Sequence, residues 1–440
     1  MTADLPLTTL ATWLQSDALL RMPPARFERV KQHIIDTLGA RIAGSRIAAG
    51  AAASRLADAV GDRVGSLIIV GCSHARSTEI DDIHLASCTT PGSVIVPTVL
   101  ALAAASRSAK ASAGRRVRLS TVAEFCAATL AGYEALIRFG VAIDGPVALH
   151  RGVWPTHAAA AFGSAATASR AYNLKPEETV SALATALAFG SGRPVSPTSP
   201  SSSRWVTLGI AAATGELAAR AAGEGLRAIE QPDALPRQLA RGLPRRSLFD
   251  AVGLKPFATD RQGLAAIEAV RTLVESNGID AASIDRITVY LPELLLRIVD
   301  RSATPTTRFE SIVSVQHQIA LAIVAPDRLL DVDRTPPFAS KALRRLQACI
   351  DVRHARDLDA YYPGAWPARV AIAAGRRRFS RLVVHPRGDA RRPLAWSDIA
   401  AKFERLAAPT IGVAACRRTI RAMQNTTPGA RMPPLWELAS

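Results

Sequence analysis

The sequence predicts a mainly α protein that carries a smaller α+β part. Long amphipathic or small-residue-rich runs fill the first half. A strand pattern and a hairpin pattern appear only beyond Gly278, and a further amphipathic run follows them near the end. With 440 residues, 48% of them hydrophobic, the chain can bury more than one core.

The elements follow in order. Val30, Ile34, Leu38 and Ile42 recur every four residues in "RVKQHIIDTLGARIAG", which stops at Gly44. Val122, Phe125, Cys126, Tyr133 and Ile137 mark a second amphipathic helix ending at Gly140. "HAAAAFGSAATASRAYNL" is rich in small residues, so its helix can approach neighbours closely. "KPEETVSALATALAFGSG" places Pro176 and two glutamates in a first turn, where proline and negative charge suit a helix start. A Ser/Pro loop follows, then an Ala-rich helix from Trp205 to Glu224. These helices are long enough for a bundle.

The texture changes around 243–253. Ile287, Val289 and Leu291 alternate as in a strand, and "ARVAIAAGRRRFSRLVVHPRGD" reads as a hairpin about a Gly-Arg turn. Helices are expected over Ser311–Val324 and Lys341–Ile350, and "PLAWSDIAAKFERLA" opens a last one. The expected organisation is a helical domain over 1–247, an α+β lid over 248–395, and helices over 396–440 that return to the first domain.

Composition narrows the function. The formal net charge is +17, but only six residues are lysine. The arginines are dispersed among alanines, and aromatics make up 5% of the chain, too few for base-stacking surfaces. No nucleic-acid partner is expected; an anionic small molecule suits the charge better. Cys72, Cys88, Cys126, Cys349 and Cys416 show no CxxC spacing, so reduced thiols and no zinc site are expected. Cys88 reads as a buried thiol. Met1-Thr-Ala-Asp-Leu lacks a basic, apolar leader, and no apolar run is long enough to span a bilayer. A cytoplasmic protein without membrane attachment is the expectation. "GSGRP" lacks the spacing and the preceding strand of a nucleotide loop.

The stretch that asks for chemistry is "STEIDDIHLASCTTPGSVIVP". It sets Glu79, Asp81, Asp82 and His84 just before a Pro-Gly turn and an apolar helix. These groups either line a pocket as acid, base or substrate-orienting residues, or they cap the helix and pair with arginines; both readings stand. Pro91-Gly92 with Ser93 could already cap that helix. His157 follows Trp154 by three residues, which puts both on one helix face. Arg204, in "SSSRW" at a helix start, has the forked donors that grip a carboxylate, with Arg193 as a companion. Lys255 lies in a loop entering the second domain, as a carboxylate ligand, a base or a solvated surface group.

Taken together, "IIDTLGARIAG" (34–44), "EIDDIHLASCTTPGSVIVP" (79–97), "LAGYEALIRFG", "RGVWPTHAAAAFGSAATASRAYNL", "RWVTLGIAAATGELAARAAGEGL", "LKPFATDRQGLAAIEA" and "PRGDARRPLAWSDIAAKF" (386–403) resemble the MmgE/PrpD family. That family includes 2-methylcitrate dehydratases, cis-aconitate decarboxylases and iminodisuccinate epimerases. The resemblance implies a large helical domain, a smaller α+β lid, a homodimer, and no metal or organic cofactor. The residues and the resemblance together mark Asp81, Asp82, His84, Lys255 and His317 as candidate catalytic groups, and Glu79, Thr90, Ser93, Trp154, His157, Arg193 and Arg204 as candidate substrate-binding groups.

The chain departs from the common family pattern at several of these positions. Glu79 opens the acid motif where relatives carry aspartate, and Thr90 stands where they carry a histidine. Trp154 replaces the histidine of "GFHPT", Arg204 replaces a lysine, and His317 matches a tyrosine. "DDIHLASCTTPGS" and "GVWPT" are closest in form to the iminodisuccinate epimerase branch. The expected activity is that of a lyase or isomerase abstracting a proton next to a carboxylate of a small polycarboxylate, with epimerisation favoured. A dehydratase of 2-methylcitrate type is the first alternative. A catalytically silent relative that binds an anionic metabolite is the second.

Overall fold

The structure is a computed structural model. It describes residues 5–57, 60–106, 117–189, 203–228, 237–301, 303–335 and 337–439. The chain divides into two compact units, Met1–Val252 with Ala395–Ser440, and Gly253–Leu394.

The first unit is helical: α1 (Pro6–Leu14), α2 (Pro24–Gly44), α3 (Ala48–Ala57), α4 (Arg63–Ser77), α5 (Gly92–Ala105), α6 (Val122–Ala142), α7 (Gly145–His150), α8 (Pro155–Ala171), α9 (Pro176–Leu187) and α10 (Ser203–Gly223). A two-residue strand, β1 (Ile83–His84), lies between α4 and α5, and β2 (Val252–Gly253) lies where the first unit passes into the second. Far along the chain, α17 (Trp396–Ile411) and α18 (Val413–Gln424) rejoin this unit.

Local signals set the ends of these helices. Proline sits in the first turn of α2 and α9. Thr121 and Glu124 form a reciprocal capping box at the start of α6. Small residues then bring the helices together, as their run in the sequence leads one to expect. A Cβ on Gly215 of α10 would sit 2.0 Å from the Ala161 carbonyl oxygen of α8, so only glycine permits that approach. The helix α6 is long and apolar enough to cross a membrane, yet most of it is buried within the helical unit, as a core helix is.

The second unit is α+β. It contains α11 (Leu264–Asn277), β3 (Ile284–Leu291), α12 (Glu293–Val299), α13 (Arg308–Val313), α14 (Val315–Val324), α15 (Lys341–Gln347), β4 (Ile350–His354), α16 (Arg356–Asp359), β5 (Ala368–Ala374) and β6 (Arg377–Val383). Its sheet runs β4-β3-β5-β6. The β5–β6 hairpin and the β3–β5 pair are antiparallel, whereas β3 and β4 are parallel. Ile287, Val289 and Leu291 of β3 and Val370 and Ile372 of β5 pack with α11 and α14 into one core.

Two expectations are corrected here. The helix expected over Ser311–Val324 is two helices, because Ser314 leaves helical geometry at ψ 112° and turns its hydroxyl to cap the His317 N–H at 3.2 Å. The helix expected to reach Ile350 ends at Gln347, and Ile350 instead opens β4 beside β3. The fold class is as the sequence predicts: mainly α with an α+β part.

Candidate active site

The acid stretch between α4 and α5 divides into two halves with different partners. Asp82 begins the inner half. Its side chain is fully buried, and its Oδ1 accepts the Gly92 N–H at 2.8 Å, the first N–H of α5. Its Oδ2 accepts the Tyr133 hydroxyl at 2.7 Å and lies 3.0 Å from His33 Nδ1. Gly92 leaves room for this, since a Cβ there would approach Thr37 Oγ1 to 2.6 Å. Burial, then the neighbouring Asp82, pushes the Tyr133 phenol well above its ordinary pKa, so it keeps its proton and donates. Asp82 thus caps α5 from a distance and ties the loop to α2 and α6. Nearby, Lys402 of α17 donates to the Ile80 carbonyl at 3.0 Å and pairs with Asp36 at 2.7 Å. Burial raises the Asp36 pKa, an effect that Lys402 opposes.

His84 and Thr90 belong to the same inner half. His84 Nδ1 accepts the Ser87 N–H at 3.2 Å and closes the turn Leu85–Ser87. Burial, with Arg246 adding to it, lowers its pKa to about 4. The ring is therefore neutral at pH 7, with its proton on Nε2. In this tautomer Nδ1 is engaged by Ser87, so an acid/base role for His84 would run through Nε2. Thr90 N–H donates to Thr156 Oγ1 at 3.0 Å, and Ser93 Oγ donates to the Thr90 carbonyl at 2.9 Å. Thr90 and Ser93 are thus part of a hydroxyl-lined start to α5.

The outer half faces arginines. Glu79 is the residue after Thr78, the C-cap of α4, and has φ 57°. That left-handed conformation costs a non-glycine residue about 1 kcal/mol. Its carboxylate bridges two guanidiniums: Oε2 lies 2.5 Å from Arg76 Nη1, and Oε1 accepts from Arg204 Nη2 at 3.2 Å. Asp81, fully buried, meets Arg76 Nε at 3.5 Å. Two indoles flank the cations. The Arg76 guanidinium carbon is 5.4 Å from the Trp154 ring and 5.1 Å from the Trp205 ring, and that of Arg204 is 3.8 Å from Trp205. The two indoles meet edge to face at 6.0 Å. Trp154 is the N-cap residue of α8, and the His157 ring stacks on it at 6.1 Å. Burial lowers the His157 pKa.

Glu79, Asp81, Trp154, His157 and Arg204 thus come together around Arg76. Asp82, His84, Thr90 and Ser93 sit in the inner network. Lys255 and His317 belong to the second unit. Lys255 is buried there and donates to the Thr259 carbonyl at 3.2 Å. His317 is buried with Nδ1 3.0 Å from Gln347 Nε2, and burial, aided by Arg334, lowers its pKa to about 4. Arg193 lies outside the described residues.

Sequence reasoning missed Arg76, His33, Tyr133 and Lys402. A signal existed for Arg76, which precedes Glu79 by three residues at the end of α4 and so is placed to pair with it. For Lys402, which is 322 residues from Ile80, there was none. Among the described residues, no group of three or more His, Cys, Asp or Glu side chains is placed to hold a metal ion.

Comparison with known proteins adds two findings. A search of curated proteins gives no match. The family model described as the MmgE/PrpD N-terminal domain matches residues 67–238, and the one described as the MmgE/PrpD C-terminal domain matches residues 257–427. The first match takes in the acid stretch, Trp154 and Arg204; the second takes in nearly all of the α+β unit and runs on through α17 and α18. With both domain models matched in order over most of its length, the chain belongs to the MmgE/PrpD family, which is generally enzymatic, of dehydratase or lyase type.

Proposed function

We propose that this protein is a cofactor-independent isomerase or lyase that removes a proton next to a carboxylate of a small polycarboxylate, with epimerisation as its reaction. The observation that carries this reading is the buried cluster of Arg76, Arg204, Glu79 and Asp81 between Trp154 and Trp205. Proton loss beside a carboxylate builds up negative charge on that carboxylate. Guanidiniums held in a partly desolvated place stabilise such charge strongly. In this reading Arg76 and Arg204 grip the substrate carboxylate and Asp81 takes the proton. A second acid returns one to the opposite face, so the molecular formula is unchanged.

Expelling water would also require an acid aimed at the leaving hydroxyl. His157 is the imidazole that stacks on this cluster's Trp154 among the described residues, and burial lowers its pKa. Trp154 and Thr90 occupy the positions where the resemblance leads one to expect histidines. The replaced histidines support epimerisation over dehydration.

The test is incubation in D₂O with amino- and iminosuccinates, 2-methylcitrate and cis-aconitate, followed by mass spectrometry. Deuterium should enter next to a carboxylate without change of formula, and Asp81→Asn should abolish the exchange. A product lighter by one water would favour the dehydratase, and loss of carbon dioxide the decarboxylase. No exchange with any member of the panel would favour a silent anion binder.

We also propose a homodimer formed through the helical unit. Ile210 and Leu217, two turns apart on α10, are 45% and 54% exposed and form an apolar strip that a second copy would cover. Light scattering at the 46.6 kDa monomer mass at micromolar concentration would refute this.

A further inference from the structure

Arg41, in the last turn of α2, is a buried cation without a counter-ion among the described residues. It is only 5% exposed. Burial lowers its pKa to about 10, so it still carries its charge at pH 7. No described carboxylate forms an ion pair with it, and its Nε is buried without an acceptor. The other buried arginines are treated differently. Arg138 pairs with Glu134 and donates to three carbonyls. Arg261 pairs with Asp389, Arg204 with Glu79, and Arg334 donates to four carbonyls.

The surroundings of Arg41 add no negative charge. A Cβ on Gly71 of α4 would sit 2.9 Å from Arg41 Nε and 2.9 Å from Pro97 Cβ of α5, so α4 carries glycine where the guanidinium lies. Cys72 is a thiol whose pKa burial raises, so it is neutral. Burial, then the charge of Arg41, lowers the His74 pKa to about 4, so that ring is neutral as well. The carbonyls at the end of α2 serve other donors. Ser45 Oγ donates to the Ile42 carbonyl at 2.8 Å, the Arg46 N–H to Ala43 at 3.2 Å and the Ile47 N–H to Gly44 at 3.1 Å. The helix end itself supplies about half a negative charge. The rest of the cation is uncompensated in a place that bulk water screens poorly. A water molecule can accept an N–H but cancels no charge; an anion does both.

We propose that Arg41 holds a small monovalent anion, in a site between α2, α4 and α5 made of none of the residues of the arginine cluster. One positive charge calls for one negative charge, and the slight exposure calls for a small ion of the halide, nitrate or formate kind. The ion neutralises the guanidinium at the packing of these three helices, so the stability of the helical unit depends on the anion supplied. The inference does not depend on the proposed reaction.

The test compares thermal unfolding of the full chain in sodium bromide and in sodium gluconate, whose anion is monovalent but bulky, at matched ionic strength. The native chain should unfold about 2 °C or more higher in bromide. Arg41→Met keeps most of the bulk without the charge and should unfold at the same temperature in both salts. Arg41→Lys keeps the charge and should keep part of the bromide effect, which separates loss of the ion from poor packing. Crystals of the native chain grown in bromide should show an anomalous peak beside the Arg41 guanidinium, a result that stands even where the variants fail to fold. An equal bromide response in the native chain and Arg41→Met, or no such peak, would overturn the proposal. So would loss of self-association in Arg41→Met with an unchanged salt response, which would make a carboxylate of a second copy the counter-ion.

Discussion

Asp81 and Asp82 are adjacent in sequence and equally buried, yet they belong to different regions. Asp82 faces the scaffold and receives the first N–H of α5, a phenol from α6 and a close imidazole from α2. Asp81 faces the arginine cluster and meets one guanidinium edge. An acid whose oxygens are occupied by fixed donors is a support. An acid set against an arginine cluster stands where the proposed chemistry takes place. The pair shows that burial and charge alone do not mark a catalytic carboxylate; the partners do.

The sharpest way to break this contrast is to remove each acid in turn. Asp82→Ala should destabilise the protein by about 3–5 kcal/mol, because it leaves buried donors without their acceptor. Asp81→Asn should cost only about 1 kcal/mol while abolishing exchange. Urea unfolding reads the first effect and deuterium exchange the second; equal stability losses would erase the distinction.

The arginine region should respond in binding. Arg204→Ala should weaken dicarboxylate binding by about 2–4 kcal/mol, and Arg204→Lys should recover only part, because the forked donor is lost. Calorimetric titration measures both, and unchanged affinity in both would move the seat elsewhere.

The scaffold region should respond to pH. His84 has its pKa lowered to about 4 in the folded chain, from an ordinary 6.5. Between those values the unfolded chain binds more protons, so the stability contribution is present above pH 6.5 and is lost as pH falls toward 4. The loss is at most about 3 kcal/mol, and His84→Asn should flatten that part of the stability-versus-pH curve. A curve of unchanged slope would mean that His84 is not held neutral. A smaller effect, about 1 kcal/mol, is expected for Thr156→Val, which leaves the Thr90 N–H without its acceptor. Chelators should change nothing in either region. Loss of exchange with EDTA, restored by one metal ion, would overturn that expectation.

Much of the fold was legible because its signals are local. The proline at the start of α9 and the alternation of β3 each lie within a few residues. Small residues on α8 and α10 announced close packing, and Gly215 against Ala161 delivers it. The strand β4 was missed, since its alternation of Ile350 and Val352 spans only three residues and its partner β3 lies some sixty residues earlier. The candidate site was half legible. The acid stretch stood out, and Arg204 was a natural clamp beside it. Which aspartate turns inward depends on His33 and Tyr133, 49 and 51 residues from Asp82, and no spacing rule reaches that far.

The central claim is that a carboxylate seat lies between Arg76 and Arg204. A crystal of the protein soaked in a dicarboxylate tests it most directly. The account predicts density for one carboxylate within hydrogen-bond distance of both guanidiniums, beside Trp154 and Trp205. Ligand density elsewhere, away from both guanidiniums, would contradict it.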